Sequence, residues 1–376
     1  MASKQNRRTF LKKLSAASIA TMAAGAPVAG LMSSCNWNRE PRIPSTADSV
    51  IWLFMAGGMA HTETFDPKRY TPFREGMEGN EVLSTFPSIP TVLDGVHFSE
   101  GLESLGSVMD RGSLIRSYVA ADLGHILHTR HQFHFHTCYE PPQAFIVPHI
   151  GSWIAHELGP INEVIPPFIN IGQRFDVGEG EELKAFHTAG FLGDEYGPFL
   201  IPDPTKGLES VRPPVGMSES RFEKRHQLYN ELISASPMGE YGSDYQKESL
   251  KASMEQAYRL LKSPEATAFN IHQEEKEVYD TYNTGKFGLG CLMARRLVEN
   301  GARFVSVTTE YVPFEGWDTH ENGHTRAAEM KKQIDGPVSQ LIRDLEKSGR
   351  LDRTLIILAS EFSRDMMVEG RPDKTV

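Results

Sequence analysis

A chain of 376 residues is long enough for one large domain or two ordinary ones, and 39% hydrophobic content is enough to bury a core. The formal charge of −10, spread along the chain, excludes nucleic acid as the default partner, because phosphate binding draws on clustered Lys and Arg. Three cysteines, Cys35, Cys138 and Cys291, exclude a disulfide framework and lack Cys-x-x-Cys zinc spacing; Cys291 falls in an apolar helical run and reads as core.

Residues Asn6 to Lys13 read N-R-R-T-F-L-K-K. Paired arginines (Arg7, Arg8) followed by a polar residue, an aromatic and a leucine resemble the bacterial twin-arginine export signal. A small, apolar stretch without acids follows from Leu14 to Leu31, too rich in Ala and Gly to read as a permanent span. Leu31-Met32-Ser33-Ser34-Cys35 resembles a lipoprotein processing box, with Met32 where leucine is usual. Cys35 is then either lipidated or left beside a simple cleavage site. Residues 1–35 are expected to be a signal read by the twin-arginine translocase. The protein is expected in the periplasm or cell envelope, with a lipid anchor to the membrane if Cys35 is acylated. That route carries folded proteins, often those that take up a cofactor first.

Residues 36–48 read as a linker. Ser49 to Ala56 (SVIWLFMA) is a continuous apolar run ending in Gly57-Gly58, the pattern of a buried parallel strand with a tight exit. Ser113 to Val119 (SLIRSYV) predicts a second strand, Pro148 to Leu158 a helix, and Pro166 to Ile171 a further strand. Glu219 to Ser236 and Tyr245 to Ser263 are helical in period, inside a helical insertion spanning about 205–285. Phe287 to Asn300 predicts a helix closed by Gly301, and Arg303 to Thr309 a strand. His324 to Ser348 predicts a long amphipathic helix with Ala327, Met330, Ile334, Val338, Leu341 and Leu345 on one side and a bend at Gly336-Pro337. Thr354 to Ala359 (TLIILA) predicts the last strand. This alternation implies an α/β fold over 49–376, with a mainly parallel sheet sandwiched by helices.

Ligands of open parallel sheets sit beyond the carboxyl ends of the strands, and three predicted strands are followed by candidate donors. After the first come His61, Glu63 and Asp66; after Arg303–Thr309 come Asp318 and His320, with His324 four residues on; after Thr354–Ala359 come Glu361 and Arg364. Mixed carboxylate and imidazole donors suit zinc, manganese or iron, whereas carboxylates alone favour calcium or magnesium. Asp318 and Thr319 also suit the cap of the helix that follows. A second cluster holds His125, His128, His131, His134 and His136. As a helix it would pair His125 with His128; the interleaved Phe133 and Phe135 suggest instead a strand near its end, with His134 and His136 on one side. Gly-x-Ser-x-Gly, P-loop and dinucleotide glycine motifs are absent from the sequence.

Five stretches resemble the exported bacterial family known as domain of unknown function 1501. They are Trp52–Lys68, Ile115–Val119, His149–Gly159, Phe287–Val307 with Trp317–Asn322, and Asp352–Arg364. That family is often described as sulfatase-like and placed near the alkaline phosphatase superfamily. The resemblance implies a metal-dependent hydrolase acting on phosphate or sulfate esters, with a zinc, manganese or calcium ion. Asp318, His320 and Glu361 are the implied ligands and Glu63 and Asp66 secondary ones. His125 and His128 lie where a nucleophile would be sought, and Arg364 would meet the anionic ester. Several departures stand out: Phe362 replaces the histidine of phosphatases, Glu63 stands where the family has Asp, and no Cys-x-Pro-x-Arg or Ser-x-Pro-x-Arg nucleophile appears. The chain stops at Val376, whereas relatives continue with an Asp-His-rich loop and another strand, so a C-terminally truncated product is expected. The alternative is a non-catalytic envelope lipoprotein or binding module that keeps the fold.

Overall fold

The computed structural model describes residues 45–364 apart from 73, 79–80, 174–187, 214 and 236–242. The chain divides after Thr46, and every element below lies in the unit Ala47–Val376. Arg7, Arg8, Cys35 and residues 365–376 lie outside the described residues, as does most of the expected linker.

The strands are β1 (Ser49–Phe54), the short hairpin pair β2 (Ser88–Pro90) and β3 (His97–Ser99), β4 (Phe168–Ile171), β5 (Phe199–Ile201), β6 (Phe304–Thr308) and β7 (Thr354–Ala359). The helices are α1 (Glu103–Gly106), α2 (His128–Thr137), α3 (Ile150–Leu158), α4 (Gly207–Ser210), α5 (Glu219–Ala235), α6 (Asp244–Lys262), α7 (Lys276–Tyr282), α8 (Lys286–Glu299) and α9 (Gly323–Lys347).

Five strands form one sheet in the order β5-β4-β6-β1-β7, and every pairing in it is parallel. The register sets Trp52 opposite Ser306 and Ile357, and Asn170 opposite Ser306. Side chains alternate between the two faces, which is why the apolar runs are continuous: each strand must satisfy two cores. Ile51, Leu53, Val305, Val307, Ile169 and Ile171 face the layer that contains α8 and α9. Trp52, Phe54, Phe168 and Phe304 face the other, packing against Ala155, Ile150 and Ile154 of α3 and Phe135 of α2. Each large apolar side chain so buried contributes about 1.5–3 kcal/mol.

Helix α8 is buried along most of its length because Gly290 lets it lie flush on the sheet; a Cβ there would come 2.7 Å from Val307 and 3.3 Å from Ile171. Helix α9 buries Ala327, Met330, Ile334, Val338, Leu341 and Leu345, the side expected from its period, and accommodates Pro337 in its interior. Helix α5 buries no side chain. It leans on α6 through the stacked pairs Phe222–Tyr258 (5.2 Å) and His226–Tyr258 (3.7 Å).

Two expectations are corrected. Ser113–Val119 is not a strand: it runs without regular structure, with Ile115, Tyr118 and Val119 exposed. A β-prone composition does not make a strand where no neighbouring edge receives it. The histidine-rich segment is a helix from His128 to Thr137, not a strand at its end, and His125 lies on the loop before it. Its own side chains reinforce the turns: His131 and His136 lie 2.9 Å from the carbonyls of Leu127 and Gln132, and Thr137 donates to that of Phe133 (2.6 Å).

Candidate active site

Beyond the carboxyl ends of β1, β6 and β7 the chain turns through three loops, and α2 closes over them. The loop after β1 passes against the loop after β6 so closely that a Cβ on Gly57 would lie 2.6 Å from the backbone nitrogen of Asp318. Gly57 also has φ +117°, which other residues rarely adopt. Its backbone N–H donates to both oxygens of Glu361, at 3.0 and 3.3 Å. The close approach and the positive φ require glycine in the loop after β1, and its backbone donor holds the carboxylate of the loop after β7.

Glu361 and Asp318 are each 1% exposed, and one imidazole joins them. His128 Nδ1 lies 2.7 Å from Glu361 Oε1 and its Nε2 lies 3.2 Å from Asp318 Oδ1. The ring is held between Tyr311, stacked at 4.7 Å, and Phe362 at 4.6 Å. Gln132, one helical turn further along α2, donates to the same Oε1 (3.0 Å), and Ser360 donates to Oε2 (3.0 Å). On the Asp318 side, the Phe314 N–H donates to Oδ2 (2.9 Å) and His320 Nε2 lies 2.8 Å from Oδ1. Arg364 donates to Oδ1 as well, and its Nη2 lies 2.7 Å from His128 Nε2.

These contacts set the charges. Burial alone would raise the pKa of both acids, but His128 outweighs it. Helped by Gln132 at Glu361, and by Phe314 and Arg364 at Asp318, it holds both carboxyls below the usual range. Burial pulls the His128 pKa down, yet the hydrogen bonds and charges of Asp318 and Glu361 together raise it above the ordinary histidine value. Nε2 cannot donate to Asp318 and accept from Arg364 at once, so a proton there and the Arg364 contact exclude each other. With Arg364 seated, a lone pair of His128 and an oxygen of Asp318 point at one cationic nitrogen.

The family described as protein of unknown function DUF1501 matches residues 47–373, most of the chain. This chain belongs to the DUF1501 family. Searches of curated proteins and of solved structures return no significant match.

In this DUF1501 protein the predicted site residues divide into two groups. Asp318 and His320, from the loop after β6, and Glu361 and Arg364, from the loop after β7, come together with His128 of α2. The others do not. His125 is exposed on the loop before α2, and no contact joins it to the cluster among the described residues. Glu63 is buried but turned away, accepting from the Thr85 N–H (2.8 Å) and hydroxyl. Asp66 pairs with Lys68 at 2.5 Å and Arg116 at 3.5 Å. Both acids serve loop packing because a basic or hydroxyl partner lies closer than the cluster does. His324 likewise bonds Thr85 (2.8 Å) and stacks on Phe86 at 4.1 Å. Gln132 was missed as a functional residue; its spacing of four from His128 was the available signal, hidden by attention to histidines alone. Among the described residues, no group of three or more His, Cys, Asp or Glu side chains is gathered as for a metal ion.

Proposed function

We propose that this DUF1501 protein is an exported, metal-dependent hydrolase of phosphate or sulfate esters. The observation that carries the reading is the buried acid–imidazole–acid chain of Glu361, His128 and Asp318, with a guanidinium at its open end. Two imidazoles and the Asp318 carboxylate form a donor set suited to zinc or manganese more than calcium. Arg364 supports the fit, since its charged nitrogen already stands where Asp318 Oδ1 and His128 Nε2 converge. Asp318, His320 and His128 through Nε2 would hold the ion, while Glu361, on Nδ1 at the far side of the ring, would orient that imidazole. Such an ion lends Lewis acidity and neutralises charge that develops on the ester.

The chain's own residues do the rest. Gln132, Ser360 and the Gly57 N–H fix the Glu361 carboxylate, so it needs no reordering when substrate arrives. Tyr311 and Phe362 clamp the His128 ring and keep water from its faces. Arg364 is half-buried at the opening and offers a planar pair of donors to a tetrahedral anion. Export through the twin-arginine translocase rests on Arg7 and Arg8, and membrane anchoring on Cys35. No described helix is long and apolar enough to cross a membrane.

Chromogenic phosphate and sulfate esters, assayed with added Zn²⁺ or Mn²⁺, test the proposal. Turnover that a chelator abolishes, and that Asp318→Asn lowers by at least ~100-fold, is the expected result. No turnover of any ester would leave the second reading, a non-catalytic envelope module. That reading is favoured by Phe362, an apolar ring against His128 where phosphatases carry a ligand.

A further inference from the structure

We infer that Ser363 is the nucleophile of this site and His61 its general base, an assignment that rests on the ester-hydrolase reading above. The loops after β1 and β7 are stitched by three backbone donors two residues apart: Gly57 N–H to Glu361, Met59 N–H to Ser360 Oγ (3.0 Å), and His61 N–H to Ser363 Oγ (2.9 Å). The two serines differ in what else they do. Ser360 is buried and gives its hydroxyl hydrogen to the Met55 carbonyl (2.7 Å) or to Glu361, so it is a staple. Ser363 is exposed, and its Oγ lies 2.5 Å from His61 Nδ1.

A serine hydroxyl within hydrogen-bond reach of an imidazole is the arrangement that activates a weak nucleophile. The His61 backbone N–H on the same oxygen would steady the negative charge left as the proton departs. Thr85, by contrast, is buried and its hydroxyl is given over to Glu63 and His324. Ser363 also precedes Arg364, whose guanidinium lies in the cluster, so an anion held by Arg364 has a hydroxyl on the adjoining residue.

Ser363 Oγ forms a bond to the phosphorus or sulfur of the ester, the bond to the alcohol oxygen breaks, and the serine proton passes through His61 Nδ1 to the departing alcohol. Water then attacks the seryl ester, gives its proton to His61, and releases phosphate or sulfate as Ser363 regains its hydrogen.

A fluorophosphonate probe incubated with the full chain, followed by peptide mapping, tests this without needing the natural ester. An adduct at Ser363 is expected, lost in Ser363→Ala and formed at least ~100-fold more slowly in His61→Gln. Both variants should unfold at the wild-type temperature because both side chains are exposed. No adduct at Ser363, or equal labelling of His61→Gln, overturns the assignment. Chromogenic ester turnover measured in parallel separates the two readings. Turnover that survives in Ser363→Ala removes Ser363 and leaves the hydrolase standing. Labelling at Ser363 with no ester turned over supports the nucleophile and counts against ester hydrolysis.

Discussion

Asp318 Oδ1 gathers three side-chain nitrogens, those of His128, His320 and Arg364, of which Arg364 and His320 can donate together while the His128 Nε2 lone pair faces Arg364. Concentrating donors on a buried carboxylate makes sense only if positive charge belongs there, since a buried acid left unpaired is costly. On the proposed metal-site reading, Arg364 is an internal stand-in that a divalent ion would have to displace. Arg364→Gln removes that competitor while keeping a donor. Its zinc affinity, measured against a chromogenic chelator, is expected to rise about tenfold, or ~1.4 kcal/mol, while KM for an anionic ester also rises. Unchanged or weaker zinc binding would mean that Arg364 and the ion do not share a position.

The elements behind the site depend on close packing of α8 and α9 over the sheet. Gly290→Ala places a methyl 2.7 Å from Val307 and should cost about 1–3 kcal/mol of unfolding free energy in urea, by lifting α8 from β6. A loss below a few tenths would show that the helix has room to shift. At this scale the sequence was readable wherever two-sided burial imposes its pattern. SVIWLF is almost wholly apolar because both faces of β1 carry core, TLIILA on the edge strand β7 is only partly buried and leaves Leu355 exposed, and the stripe from Ala327 to Leu345 is one face of α9. Ser113–Val119 misled because apolar residues there lie on the surface beside the site, where Tyr118 reaches the Glu361 carbonyl (3.5 Å). The partnership of His128 with Glu361 was legible only as a shared rim. Their separation of 233 residues carries no periodic signal, and the hydrogen bonds of Glu63 and Asp66 to their neighbours carry none either.

Taken as one cooperative unit, the folded domain should respond to acid through its buried histidines. His136 is sealed between Trp52, Phe54, Phe135 and His149, and burial lowers its pKa from 6.5 to about 4; His149 is pushed well below its ordinary value in the same way. Above pH 6.5 the His136 ring is neutral in both states and its contribution is fully present. As pH falls from 6.5 toward 4 the unfolded chain takes up the proton first, so stability drops, by at most about 3 kcal/mol for this ring. Urea midpoints measured across that range should fall more steeply in the wild type than in His136→Phe; parallel slopes would contradict the assignment.

The central question is whether the two buried acids, His128 and His320 form a cation site. Equilibrium dialysis of the folded protein against zinc or manganese addresses it directly. One ion should be retained per chain, and none at the same free concentration in the Asp318→Ala/Glu361→Ala variant. A wild type that retains no ion, or a double variant that retains as much, would contradict it.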